Sequence, residues 1–263
     1  MENYYAGIIQ NNPKSEIDFI VEDFSINGFT LIHDFFSAEE MDLANEKILE
    51  IQNTQIKEIG LENLKAINEI DHVRNVCEYD QFFIDLINNE NLLNIINAII
   101  GQKYVLSLSN SNICLPNLKN YMIRWHRDFP YQNFLCDEVL GLNAFVAITE
   151  FTNENGGTFL LPFSNRYKNL PSDKFIKKNE TQVICSAGSI IIFDSMLFHR
   201  AGINNTQNPR IGLNYNFVRP FIKQQYENTS GDDLNSFSYN LFGERYYSSK
   251  SATEYRKKKL GTL

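Results

Sequence analysis

Near residue 101 the hydrophobic pattern of the chain changes period, and that change restricts the fold more than any other feature. Upstream, apolar residues recur every three or four positions. Met41, Ala44, Ile48 and Ile51 fall on one helix face behind Ser37 and Glu40, which form a capping box. Two more helical stretches lie between Asp80 and Ile100, and Gly101 suits the C-terminal cap of the second. Downstream, the apolar runs are short or alternating, with Asn, Gly, Pro and Ser between them. They occupy 103–109, 121–128, 142–149, 158–162, 181–186, 189–193, 197–202 and 210–218. Eight short strands after a helical block predict a mainly β fold with flanking helices. The expected form is a double-stranded β-helix, a cupin-like jelly roll, with an N-terminal helical layer packed on one sheet.

No repeat, linker or low-complexity tract divides the chain, so a single domain is expected over 1–263. Within it, 1–100 reads as the helical flank, 101–222 as the jelly-roll core and 223–263 as a polar, Tyr-rich tail serving as a lid or an oligomer contact. A net charge of −8 provides no field that would capture phosphate backbones, so nucleic acid is not an expected partner. The start lacks a basic segment followed by an apolar one, and no apolar stretch approaches the length of a membrane span. The four cysteines lie far apart without a CxxC pair, which fits reduced thiols. These features together predict a cytoplasmic protein with no membrane partner, a monomer or homodimer.

The chemistry concentrates in few residues. Of the four histidines, His126 lies two residues before Asp128 in YMIRWHRDF. Alternation along a strand would put both side chains, with Arg124, on one face. His199, in LFHRAG, is the available third ligand. Two imidazoles and one carboxylate on one face of an octahedron leave three positions open, an arrangement suited to Fe(II) oxygen chemistry with a chelating keto acid and O2. Arg210 opens the last expected strand eleven residues after His199. If consecutive strands alternate between sheets, it faces His199 across the gap and could pair with the keto acid's far carboxylate. By contrast, His33 and His72 read as structural imidazoles, His72 in a loop. His126-Arg127-Asp128 followed by Asn133 mimics a kinase catalytic loop, but the other kinase motifs are absent.

Four segments then carry a resemblance. FSINGFTLIHDFFSAEEMDLANEKI, WHRDF, NENGGTFLLPFSNR and AGSIIIFDSMLFHRAGINNTQNPRIGLNYNFVRP are similar to the opening strand and helix, the HxD segment, the Gly-Gly turn with its Leu-Pro strand, and the closing strands of the phytanoyl-CoA dioxygenase family of Fe(II)/2-oxoglutarate-dependent oxygenases. The resemblance implies His126, Asp128 and His199 as iron ligands and Arg210 as the 2-oxoglutarate anchor. The family often has Gly-Ser-His after the Leu-Pro, where this chain has Phe163, Ser164 and Asn165. A carboxylate at Asp128 also disfavours halogenation, since related halogenases keep a small residue there.

The expected activity is hydroxylation of a small-molecule substrate using Fe(II), 2-oxoglutarate and O2. Desaturation, cyclisation or epimerisation would use the same centre, and a non-catalytic 2-oxoglutarate or metal-binding module is the competing class. Ser109 and Thr158 are candidate cosubstrate contacts beside Arg210. Arg124, Trp125, Tyr131, Asn143, Arg166 and Asn214 are candidate substrate contacts, each next to a motif position or on an inward strand face.

Overall fold

The structure, a computed structural model, describes residues 4–5, 8–117, 121–129, 135–226, 241–243 and 251–260. Short strands β1 (Tyr4–Tyr5) and β2 (Ile8–Ile9) pair with each other, and helix α1 (Glu16–Asn27) leads into β3 (Phe29–Ile32). The long helix α2 (Ala38–Ile59) begins at the expected capping box: Glu40 N–H donates to Ser37 Oγ and Ser37 N–H donates to Glu40 Oε2. Its buried stripe is Met41, Ala44, Ile48, Ile51 and Gln55. Then follow α3 (Leu61–Ala66), β4 (His72–Val73), α4 (Val76–Tyr79), α5 (Gln81–Ile87) and α6 (Glu90–Ile100), the last capped by Gly101 at φ 83°.

The core strands are β5 (Val105–Cys114), β6 (Gly141–Ala147), β7 (Phe159–Leu160), β8 (Thr181–Gln182), β9 (Ile190–Asp194), β10 (His199–Arg200) and β11 (Arg210–Val218); α7 (Asp173–Asn179) precedes β8 and α8 (Ala252–Leu260) lies near the end. They form a six-stranded antiparallel sheet in the order β3-β9-β6-β11-β5-β4 and a three-stranded sheet in the order β10-β7-β8. The fold is a mainly antiparallel jelly roll with helices on one face of the larger sheet.

Period-2 alternation divides the core. Leu142, Ala144, Val146, Ile190, Ile192, Ile211, Leu213, Tyr215 and Phe217 meet the helices, while Phe145, Ala147, Ile191 and Phe193 turn toward the smaller sheet. Each buried apolar side chain of this kind stabilises by about 1.5–3 kcal/mol relative to exposure. From the tail, Leu241 and Phe242 join the helix-side core. Among the described residues no helix is long and apolar enough to cross a membrane.

Three expectations need correction. The segment 121–128 is not a strand: residues Tyr121–Ile123 form a 3-10 turn, and only His126 pairs, in an isolated bridge to His199. The N-terminal hundred residues are not purely helical, because β3 and β4 supply both edges of the large sheet. His72 therefore lies in a strand rather than a loop, 6% exposed, with Nδ1 2.9 Å from Asp71 Oδ1.

The Gly-Gly turn is required by the backbone. Gly156 has φ 82°, and a Cβ on Gly157 would lie 2.4 Å from the Val183 carbonyl oxygen. Phe163 is the opposite case, a bulky residue at φ 64° with 55% of its surface exposed. Replacing Phe163 with Gly relieves the left-handed strain and forfeits little burial. Denaturant unfolding should show Phe163→Gly more stable by about 1 kcal/mol; a loss of stability would contradict the strain reading.

Candidate metal centre

One pair of backbone hydrogen bonds builds the centre. His126 N–H donates to His199 O and His199 N–H donates to His126 O, both at 3.0 Å, so the two residues stand directly opposite as an antiparallel pair. Their side chains then leave on the same face, and the ring centroids lie 4.3 Å apart. Asp128 follows two residues later, fixed by its N–H donating to Ser195 O at 3.0 Å, with Oδ1 3.4 Å from His199 Nε2. One ligand atom from each of His126, Asp128 and His199 lies within 4.8 Å of the others.

Hydrogen bonding also settles which ring atoms face inward. His126 Nδ1 lies 2.8 Å from Arg124 O and His199 Nδ1 lies 2.9 Å from Leu197 O. A carbonyl only accepts, so each Nδ1 carries the proton and each Nε2 keeps its lone pair for the cluster. Burial, helped by neighbouring His199, lowers the His126 pKa to about 4 and keeps that ring neutral. Burial opposes charge on His199 as well, but the Asp128 carboxylate outweighs it and raises that imidazole. Asp128 would be raised by burial; its neighbours, His199 foremost, hold it below the usual carboxylate range. Two neutralisable imidazoles and a carboxylate, open on one side, suit a divalent first-row metal with free coordination positions.

Arg210 lines the same cavity from the facing sheet. It is 2% exposed, its guanidinium lies 4.5 Å from the Phe151 ring centroid, and Nε has no hydrogen-bond partner. Among the described residues no carboxylate pairs with it. A buried cation in this condition calls for an anionic ligand. Thr158 and Asn214 also line the cavity, with Asn112, Cys114, Met122, Phe145 and Phe193. Asn112 could have been found by pairing β5 with β11, where it stands opposite Gly212, two residues from Arg210.

Other expected contacts fall elsewhere. Ser109 stands opposite Tyr215 on the helix side of the sheet, where its Oγ accepts from Cys77 N–H, so it does not face the cavity. Arg124 is exposed and offers the centre only its carbonyl. Trp125 packs against Leu161, Ile176 and Phe198, with Arg200 over its ring. Arg166 donates to Ser25 O at the end of α1 and lines a separate cleft of about 510 Å³. Asn143 contacts Asp128, with Nδ2 donating to Oδ2 at 2.6 Å, and Tyr131 lies outside the described residues.

Sequence reasoning passed over Arg127, which is 1% exposed between the two ligands. Its guanidinium donates to the carbonyls of Met196, Ser164, Tyr167 and Lys168 and stacks 3.9 Å from the Phe198 ring centroid. It ties the HxD segment to the two loops beside it. Nothing in a tripeptide pattern marks such a clamp.

Comparison with known proteins adds three findings. The family model for phytanoyl-CoA dioxygenase (PhyH) matches residues 24–212. An uncharacterized protein of Mycobacterium tuberculosis is 28% identical over 225 residues, 83% of this chain and 81% of that protein, and a probable alpha-ketoglutarate-dependent hypophosphite dioxygenase of Stutzerimonas stutzeri is 26% identical over 153 residues, 54% of this chain and 51% of that one. Among solved structures, EctD from S. alaskensis with 2-oxoglutarate and 5-hydroxyectoine matches with a TM-score of 0.64 at 20% identity, over 76% of this chain and 74% of that one. At that identity the likeness shows the fold alone.

Two outcomes follow from the geometry. An unfolded His126 takes a proton near the ordinary histidine value of 6.5, the folded one only near 4, so between these values protons favour the unfolded chain. In chelator, stability should fall as pH drops through this window, and His126→Gln should fall less steeply; equal slopes would refute a neutral buried imidazole. Arg127→Met, which strands several buried carbonyls, should cost about 3 kcal/mol or more in denaturant unfolding. A change within about 0.5 kcal/mol would show that the clamp bears little load.

Proposed function

The chain belongs to the phytanoyl-CoA dioxygenase family, and on that premise we propose that it is an Fe(II)- and 2-oxoglutarate-dependent dioxygenase that hydroxylates an unactivated C–H bond of a small molecule. The observation that carries this reading is one cavity lined by Asp128 and His199 of the His-Asp-His cluster and, from the facing sheet, by a buried Arg210 that pairs with no carboxylate among the described residues. Bound Fe(II) would supply the redox chemistry by which O2 oxidises 2-oxoglutarate to succinate and CO2 and a C–H bond to an alcohol.

The chain's own residues hold, orient and exclude. Nε2 of His126 and His199 and Oδ1 of Asp128 would hold the metal. Arg210 would take the far carboxylate of 2-oxoglutarate, with the Thr158 hydroxyl beside it, and Phe145, Phe193 and Met122 would keep water away. Asn214 has a different task. Its Nδ2 donates to Asn143 Oδ1, while its own Oδ1 is buried without a partner. 2-Oxoglutarate is a dianion with no donor to offer, so this oxygen suits an N–H or O–H of the substrate.

The test is anaerobic addition of 2-oxoglutarate to Fe(II)-loaded protein, followed by its visible charge-transfer absorption. Wild type should develop the band, and Arg210→Met should need at least about 30-fold more 2-oxoglutarate, the loss of a buried charged partner being worth about 2 kcal/mol or more. Bound Fe(II) with no response to 2-oxoglutarate would refute the cosubstrate.

A further inference from the structure

Asn143 lies at the centre of a buried amide network behind the metal-facing carboxylate. It is on β6, 0% exposed, and its carboxamide joins elements that are far apart in sequence. Nδ2 donates to Asp128 Oδ2 at 2.6 Å, and Oδ1 accepts from Asn214 Nδ2 at 2.9 Å and from Asn216 Nδ2 at 3.0 Å. Asn216 Nδ2 also reaches Ser195 Oγ at 2.8 Å and Leu142 O at 3.3 Å.

The orientation of every amide follows from one backbone carbonyl. Leu142 O can only accept, so the NH2 end of Asn216 faces it and the neighbouring Asn143 Oδ1. Asn143 must then turn its own NH2 group toward Asp128. The carboxylate thus meets a donor at Oδ2, while Oδ1, on the His199 side, is left for the metal. Released from Asn143, the carboxylate is free to rotate and bind through both oxygens, closing a coordination position that a chelating cosubstrate or O2 needs.

We propose that Asn143 is a positioning residue that holds Asp128 as a one-oxygen ligand, with Asn216 and Ser195 fixing its orientation. The role rests on the reading of the cluster as a metal site. It goes beyond that reading in giving the amides a function in metal affinity and coordination number.

Trp125, the chain's one tryptophan, precedes His126 and gives the test its signal. Co(II) is titrated against Trp125 fluorescence, and the visible spectrum of the Co(II)-loaded protein reports coordination number. Thermal unfolding in chelator monitors the fold separately. Asn143→Leu should weaken Co(II) binding roughly 10- to 100-fold and alter the Co(II) spectrum. Ser195→Ala, a milder change that leaves the backbone bonds in place, should weaken it about 2- to 10-fold. A merely structural role would lower the melting temperature and leave Co(II) affinity and spectrum unchanged. Wild-type Co(II) affinity in Ser195→Ala and in folded Asn143→Leu overturns the positioning role and leaves the metal centre standing. Failure of the wild-type protein itself to bind Co(II) overturns both.

Discussion

The reciprocal backbone pairing of His126 and His199 is the contact on which the rest depends. Neither residue is close to the other in sequence, and a helix or loop would not hold their rings at a fixed separation. An antiparallel pair does, because residues that exchange both backbone hydrogen bonds present their side chains on the same face. The larger sheet then provides what the smaller one lacks: Arg210 and Asn214 on the inward positions of β11, and Asn143 behind Asp128 on β6. The helices complete the fold by covering the other face of that sheet, so that every second residue of β6, β9 and β11 is buried among them.

Much of this was legible because strand alternation and helix periodicity are local. The capping box at Ser37 and Glu40, the long strand from Arg210 and the Gly-Gly turn all depend on neighbours within a few residues. The change of texture near residue 101 reported the jelly roll for the same reason. What failed depended on contacts distant in sequence. Residues 121–128 alternate like a strand, yet Arg127 is drawn inward by carbonyls about 40 and 70 residues away, and only His126 forms a bridge. Ser109 was assigned to the wrong face because the face of β5 that turns inward depends on its partner strand: with Cys114 opposite Arg210, alternation puts Asn112 on the cavity side and Ser109, opposite Tyr215, on the helix side.

The centre also shows how a polar cavity is sustained inside an apolar shell. Asn143, Asn216 and Ser195, all buried, and half-buried Asn214 satisfy nearly all of one another's donors and acceptors, and the two imidazoles donate to backbone carbonyls, so the cost of burying them is largely offset. The exceptions are informative. Arg210 Nε and Asn214 Oδ1, a donor on a cation and a neutral acceptor, are left without partners on the same strand. One calls for an anion and the other for a hydrogen-bond donor, which is what a site for an acidic cosubstrate and a separate polar substrate requires.

Three side chains on two paired segments are placed to bind one metal through defined atoms. Anomalous diffraction at the metal edge, from crystals grown anaerobically with Fe(II), tests it most directly. A single peak is expected about 2.0–2.2 Å from His126 Nε2, His199 Nε2 and an Asp128 oxygen, with both Nδ1 atoms still on their backbone carbonyls. A peak elsewhere, or coordination through Nδ1 with the ring turned over, would contradict it.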